Sequence, residues 1–333
     1  MSELDYLTDV QRLAALAHRF ATLAVGVPEP LRLQRLVSTP AWTPHDLVAH
    51  VADLVHRYAE AFGAGTTFAP TWDSQPTWTS QVAAPYRARP YDEVAGLIAE
   101  AAEPLAPAGA AADPDRLFRW QGGAEIPVRG GVGVTINELL VHGWDLASGT
   151  GGSWPLDPAD ITAGLGWALH ALGPAIDAAK AAGHTATYEL RLRDGGTLVL
   201  PFVDGVPQAG TVGARRPDVV MSAPARTLLL TMYGRKPFVV DRHHRPGACL
   251  GPTTLAGTHV DLEDPTLLRW PGTPGRASST FVSRRSRGSD HCHTPVARPP
   301  ATSTAPRGGP TDGHASTASC SPAASPSATT RSH

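Results

Sequence analysis

Two residues one helical turn apart, Glu138 and His142, are the most informative pair in the chain. Four residues on an α-helix correspond to about 400°, so the two side chains lie one above the other. The segment from Val134 to Ala147 is apolar nearly all round, which is typical of a buried helix. Buried polar groups need partners. The pair could form a plain ion pair, or it could bind a metal ion through a carboxylate oxygen and an imidazole nitrogen.

A third candidate ligand, His50, lies midway along another predicted helix, where Leu47 and Val51 mark the inward-facing side. A lone histidine on an apolar face is more often a hydrogen-bonded core residue than a ligand. Two histidines and one glutamate from two buried helices, however, suit a divalent ion with open positions. Such an ion can bind water or a thiol and lower its pKa. The three residues together therefore predict a metal site.

Other polar residues near these positions have simpler explanations. Asp145 follows His142 by three residues, and it could accept a hydrogen bond from a ligand imidazole or simply end the helix. His45 and His56 are rotated by about 140° and 240° from His50, so we expect them to point elsewhere.

Charged and metal-binding residue types elsewhere carry weaker signals. Arg87 and Arg89 could meet an anionic substrate, although solvated loop charges are the commoner explanation. A cluster with metal-ligand spacing occurs late in the chain, where low complexity makes such clusters common by chance. Its members are His243, His244, His291, Cys292 and His293.

The elements that would position the three candidate ligands are four helices. Apolar spacing and end signals, including Thr43 as an N-cap before Pro44, predict these helices. They cover residues 4–25, 43–63, 91–105 and 134–148. Long loops are predicted at 64–89 and 106–131. Four helices with two long crossings indicate a helix bundle.

The pattern then changes to that of a small α+β region. Alternating residues on either side of Asp194-Gly195-Gly196 predict a β-hairpin. The predicted elements are a helix at 158–182, strands at 187–192, 197–200 and 218–221, and a helix at 223–233.

Charge and composition exclude several classes of protein. Residues 1–240 hold 18 Lys and Arg against 24 Asp and Glu, a net charge of −6, and an acidic body argues against nucleic-acid binding. No run of about 18 apolar residues occurs, so no membrane span is predicted. The start of the chain is acidic, unlike a secretory signal, and the expected location is cytoplasmic. The cysteines, Cys249, Cys292 and Cys320, all come late, so the body offers no thiolate nucleophile.

The last part of the chain differs from the rest. In residues 271–333, 45 of 63 positions are Gly, Ala, Ser, Thr or Pro, which cannot bury enough apolar surface to offset the entropy of ordering. We therefore predict a disordered tail. A shifted reading frame in a GC-rich gene would produce the same composition.

Two segments resemble motifs of a known family. Trp42 to Asp53, WTPHDLVAHVAD, resembles the second-helix motif of the mycothiol-dependent maleylpyruvate isomerase family, and Asn137 to Ala147, NELLVHGWDLA, resembles its second metal motif. The family belongs to the DinB-like metal-binding helix bundles. The stretch from Gly213 to Arg235 resembles the family's sterol-carrier-like C-terminal domain. The resemblance covers about residues 5–240, and residues 241–333 do not resemble the family's closing segment.

The resemblance implies a domain organisation. It implies a DinB-like metal-binding four-helix bundle over residues 1–155 and a small α+β domain over 156–240. The low-complexity tail, residues 241–333, would follow.

The resemblance also implies a chemistry. The family's zinc ligands fall on His50, Glu138 and His142. Mycothiol, the low-molecular-weight thiol of actinobacteria, would be the cosubstrate, and its thiolate would add to an electrophilic double bond, allow rotation and leave. The implied function is a divalent-metal- and mycothiol-dependent isomerase or S-transferase acting on a small electrophile. The alternative is a non-catalytic protein that binds a metal or a small ligand.

Overall fold

The computed structural model describes residues 3–209 and 216–236. Four long helices pack around one another: the first and the second along the chain each contact both the third and the fourth. Their core is apolar, as a helix bundle requires. The helices are α1 (Glu3–Val25), α2 (Pro44–Phe62), α4 (Tyr91–Ala102) and α6 (Val128–Thr150). The predicted four-helix bundle is confirmed.

The start of α2 follows the local signals in the sequence. The Thr43 hydroxyl accepts a hydrogen bond from the Asp46 amide, and the Asp46 carboxylate accepts one from the Thr43 amide. Pro44 occupies the first turn, where its missing N–H costs nothing. This capping box fixes where α2 begins and therefore which face of the helix His50 occupies.

The two predicted loops contain regular structure, so these two predictions were wrong. The first holds α3 (Gln75–Arg87), which packs on α2 but buries little, so no apolar periodicity reveals it. The second holds α5 (Leu105–Ala111) and a short antiparallel pair, β1 (Leu117–Arg119) and β2 (Glu125–Pro127).

Helix α6 begins at Val128, six residues before the predicted start, because its glycines meet close neighbours. A methyl group on Gly133 would overlap the backbone of Ala168, and one on Gly131 would press on Phe118. Packing thus compensates for the poor helix propensity of these glycines. The predicted end is confirmed, with Gly151 in the left-handed conformation.

A four-stranded sheet follows the bundle, in the order β5–β4–β3–β6. The hairpin is antiparallel, with Glu189 opposite Val199, and the last strand runs parallel to the first. The strands are β3 (Ala186–Leu192), β4 (Thr197–Val203), β5 (Val206–Pro207) and β6 (Val219–Ala223). This small sheet region confirms the predicted α+β part of the fold.

The helices around the sheet differ in part from the prediction. The expected helix at 158–182 stops early: α7 (Pro158–Ala168) is followed by 3-10 turns and a short α8 (Ala178–Ala181). Pro174 prevents an α-helix from continuing through this segment, because it has no amide hydrogen to donate to residue 170. Helix α9 (Ala225–Met232) lies close to the predicted 223–233, and it contacts α6 and α7.

The domain boundaries stay predictions. The one between residues 155 and 156 falls in the connection between α6 and α7. The predicted tail, residues 241–333, and its cysteines and histidines lie outside the described residues. Within the described ranges, no helix combines the length and the apolar character that a membrane crossing requires.

Candidate metal centre

Helix α6 places Glu138 and His142 next to each other in the core. Glu138 is 3% exposed and His142 is 1% exposed. The Oε2 atom of Glu138 lies 3.1 Å from Nε2 of His142. The expectation that both side chains are buried and share one stripe of the helix is therefore correct.

Helix α2 brings His50 to the same place. Its ring lies 5.1 Å from that of His142 between centroids, at an angle of 87°. One potential ligand atom from each of His50, Glu138 and His142 can be chosen so that all three lie within 4.8 Å of one another. The structure thus brings together the three residues that the sequence singled out, and their role as ligands stays a prediction.

Several polar atoms of this cluster are buried without a hydrogen-bond partner in the described part of the chain. They are both ring nitrogens of His50, the Oε1 atom of Glu138 and the Nε2 atom of His142. His50 as a whole residue is half-buried, but both of its ring nitrogens are buried. Leaving buried polar atoms unpaired costs free energy. A divalent ion held by two imidazoles and one carboxylate would remove that cost, and the donor set suits zinc.

The protonation states of the two histidines differ. Burial lowers the pKa of His50 well below its ordinary value, and nearby positive charges, His142 first among them, act in the same direction. His50 is therefore neutral, which is the form that coordinates metals. Burial also lowers the pKa of His142, but the neighbouring carboxylates of Asp145 and Glu138 outweigh this and raise it overall.

Asp145 lies behind His142, on the side away from Glu138. Its Oδ2 atom is 3.1 Å from Nδ1 of His142. Burial alone raises the pKa of Asp145, but hydrogen bonds from His142 and Arg235 lower it to about 2, so Asp145 is ionised. A carboxylate behind a ligand imidazole fixes the ring orientation in many metal sites.

Two residues of this environment were missed by the sequence reasoning. Trp42 precedes the capping box, and its ring lies 5.0 Å from that of His50 and 5.9 Å from that of His142. Arg235 contacts Asp145 from a position 90 residues further along the chain. Neither residue has a spacing to the ligands that a periodicity argument could use.

The neighbouring histidines have other partners. His45 packs edge-on against Tyr91, with 5.7 Å between ring centroids. His56 is exposed, and its Nε2 atom lies 3.3 Å from Glu60. Neither belongs to the cluster of potential ligands found in the described residues.

The two arginines of the first predicted loop are also paired. Arg87, at the end of α3, donates to Ser80 and lies 3.9 Å from Asp46. Its charge contributes to the lowered pKa of His50. Arg89 pairs with Glu93 at 2.6 Å.

The helix bundle and its buried His/Glu/His cluster define a class, that of helix-bundle proteins with a candidate metal centre between their helices. Residues 13–147 match the family model of the mycothiol maleylpyruvate isomerase N-terminal domain. This match contains all three candidate ligands. The resemblance seen in the sequence is therefore confirmed.

Solved structures with similarity to the chain include two of mycothiol-dependent maleylpyruvate isomerase. One is a crystal structure of the mycothiol-dependent maleylpyruvate isomerase, with 16% identity and a TM-score of 0.46. The other is a histidine-to-alanine mutant of mycothiol-dependent maleylpyruvate isomerase, with 15% identity and a TM-score of 0.45. Each alignment covers 71% of this chain and 90% of the other. No curated protein matches significantly.

Proposed function

We propose that the protein is a divalent-metal-dependent enzyme of the maleylpyruvate isomerase type that uses mycothiol as its thiol cosubstrate. The observation that carries this proposal is the cluster of His50, Glu138 and His142, whose potential ligand atoms lie within 4.8 Å of one another and which holds buried polar atoms without a hydrogen-bond partner. The family match over residues 13–147 supports it. We propose Zn²⁺ as the metal.

Two helices would together supply the three ligands of the ion. Glu138 and His142 are fixed by one rigid helix, and His50 is fixed by a second helix whose start is set by its capping box. Three protein ligands leave a coordination position for another molecule, as in catalytic rather than structural zinc sites. When bound, a divalent ion with such an open position lowers the pKa of water or a thiol.

The thiol would come from a small molecule, because the body of the chain has none. The first cysteine in the sequence is Cys249, beyond both metal motifs and the sheet region. The Trp42 ring lies beside the imidazole rings of His50 and His142, where it would shield the reacting groups from water. The reaction class we propose is addition of the thiolate to an electrophilic small molecule in the cytoplasm. Loss of the thiolate after bond rotation makes an isomerase, and protonation of the adduct with the sulfur retained makes an S-transferase.

Metal analysis combined with calorimetry tests the proposal. The purified full-length protein should contain about one divalent ion per chain. The metal-loaded protein should bind mycothiol, and the metal-stripped protein and the His142→Ala variant should not. A metal-loaded protein without affinity for the thiol would contradict the enzyme proposal and favour the alternative, a non-catalytic metal-binding protein.

A further inference from the structure

A buried chain of hydrogen bonds connects the candidate metal centre to the end of the described chain. Arg235 donates from Nη2 to Oδ2 of Asp145 at 2.7 Å and from Nε to Oδ1 at 3.1 Å. Oδ2 of Asp145 in turn lies 3.1 Å from Nδ1 of His142. The Arg235 side chain is 2% exposed and the Asp145 side chain is fully buried. The contact is therefore a two-pronged ion pair inside the protein, not a surface salt bridge.

The geometry assigns a direction to the imidazole of His142. Its Nε2 atom faces Glu138 at 3.1 Å, and its Nδ1 atom faces Asp145. The Asp145 carboxylate, which Arg235 holds in place, accepts a hydrogen bond from Nδ1 and favours the ring hydrogen there, which leaves the lone pair of Nε2 for a metal ion. Glu138, beside Nε2, favours the opposite tautomer. Nε2 is then the nitrogen available on the side of the candidate ligands.

Arg235 in turn controls Asp145. Two parallel N–H···O bonds from a guanidinium fix the plane of a carboxylate as well as its charge. The remaining terminal nitrogen, Nη1, donates to the backbone oxygen of Tyr233 at 2.7 Å, so the guanidinium itself is anchored. All three nitrogens of the Arg235 guanidinium therefore donate hydrogen bonds within the protein, so this cation is not available to bind a substrate.

The backbone turn at Gly234 directs the Arg235 side chain towards α6. Helix α9 ends in a Schellman motif, in which the Arg235 amide donates to Leu230 at 2.7 Å and the Gly234 amide to Thr231 at 3.0 Å. Gly234 adopts φ +70, which a glycine tolerates without strain. The chain therefore turns sharply after α9, and Arg235 points back to α6.

We propose that Arg235 is a positioning residue for the metal centre: through Asp145 it fixes the tautomer and orientation of His142. The matched family domain, residues 13–147, then lacks one residue that its own site depends on. The competing explanation is that the ion pair only stabilises the packing of the segment after α9 against α6. It predicts that removing the ion pair lowers the stability of the protein without changing His142. The part of this inference that concerns metal affinity rests on the function proposed above.

Four variants of the full-length protein separate these explanations. Arg235→Met keeps an aliphatic side chain and removes the ion pair. Arg235→Lys keeps the positive charge but cannot make the two parallel hydrogen bonds of a guanidinium. Asp145→Asn keeps the shape of the side chain without its negative charge. Arg226→Met is the matched control, because Arg226 is an exposed arginine near the start of α9, the helix that precedes Arg235. Zinc affinity is measured by competition with a chelator, and the thermal midpoint of the metal-free protein is measured alongside.

Arg235→Met and Asp145→Asn should each weaken zinc binding roughly 10- to 100-fold, the usual effect of removing such a partner. Their double variant should be no weaker than the worse single variant, because both act through one chain of contacts. Arg235→Lys should fall between Arg235→Met and the wild type, and Arg226→Met should match the wild type. A lowered thermal midpoint with wild-type zinc affinity in both Arg235→Met and Asp145→Asn would overturn the proposal.

A measurement without metal keeps the positioning role testable even if the protein binds no zinc. The ¹⁵N chemical shifts of the His142 ring, recorded where the ring is neutral, report its tautomer. The fraction of molecules with the hydrogen on Nδ1 should be larger in the wild type than in Arg235→Met, because Glu138 competes for that hydrogen from the Nε2 side. An unchanged tautomer in Arg235→Met would refute the role of Arg235. Absence of zinc binding in the wild type would instead refute the proposed function.

Discussion

The ring of His50 stands almost perpendicular to the ring of His142, with 5.1 Å between their centroids, although the two residues come from different helices. Neither ring nitrogen of His50 has a hydrogen-bond partner among the residues the structure describes. A core histidine that served packing alone would be expected to pair at least one nitrogen. The arrangement is therefore better suited to holding an ion than to holding the two helices together.

Replacing either histidine should remove the metal. We expect His50→Ala and His142→Ala each to lower zinc affinity by more than the roughly 10- to 100-fold loss typical of an outer partner, because a direct ligand disappears. Metal content after dialysis against a weak chelator measures the effect.

Helix α2, which carries His50, also offers two control histidines for that experiment. His45→Ala and His56→Ala should leave the metal content unchanged, since His45 packs on Tyr91 and His56 lies at the surface beside Glu60. If either control lost the metal while His50→Ala kept it, the site would be assigned to the wrong face of α2.

Trp42 should report on the occupancy of the centre. Its ring lies within 6 Å of both imidazole rings, and Co²⁺ quenches indole fluorescence over short distances. Titration with Co²⁺ should therefore quench part of the protein's fluorescence, and Trp42→Phe should abolish most of that part. Trp72→Phe is the control, because Trp72 packs on Trp120 instead. Equal quenching in the wild type and in Trp42→Phe would place the ion elsewhere.

The sequence predicted the inner part of the candidate site because helical periodicity is a local property. A spacing of four places Glu138 above His142 in any helix, and the capping box at Thr43 sets the face on which His50 lies. The environment behind those residues depends on tertiary packing. The contact between Asp145 and Arg235 joins residues 90 positions apart, and no local pattern encodes such a pairing.

The errors in the fold prediction have the same origin. The glycines before Val134 indicate a loop by propensity, but in the structure they let α6 pack against its neighbours. Conversely, the apolar run after Pro158 resembles one long helix, and Pro174 interrupts it. Propensity is a weak signal wherever packing or a single proline decides the outcome.

The packing of α6 on α7 can be tested at one glycine. A methyl group at Gly133 would overlap the backbone of Ala168 and the side chain of Trp167. Gly133→Ala should therefore lower the free energy of unfolding by roughly 1–3 kcal/mol, the usual cost of overpacking, measured by urea denaturation.

Gly96 provides a control of opposite sign. It lies within α4, and a methyl group there would meet nothing within 4 Å. Gly96→Ala should raise the free energy of unfolding by about 0.5–1 kcal/mol, because alanine loses less backbone entropy in a helix. A stabilising Gly133→Ala variant would show that α6 and α7 do not approach as closely as described.

The turn after α9 gives the last prediction, which separates local strain from the positioning of Arg235. Gly234 and Gly183 both have positive φ, +70 and +77, so alanine at either position costs roughly 1–2 kcal/mol in the free energy of unfolding. A methyl group on Gly183 would have open space around it, and that glycine lies in the turn between α8 and β3, outside the contacts of Arg235. We therefore expect similar destabilisation of the two alanine variants in urea, but weaker zinc binding only in Gly234→Ala, because only there does the strain shift Arg235 away from Asp145. Equal zinc affinities in the two variants would mean that the Schellman motif does not aim Arg235 at the metal centre.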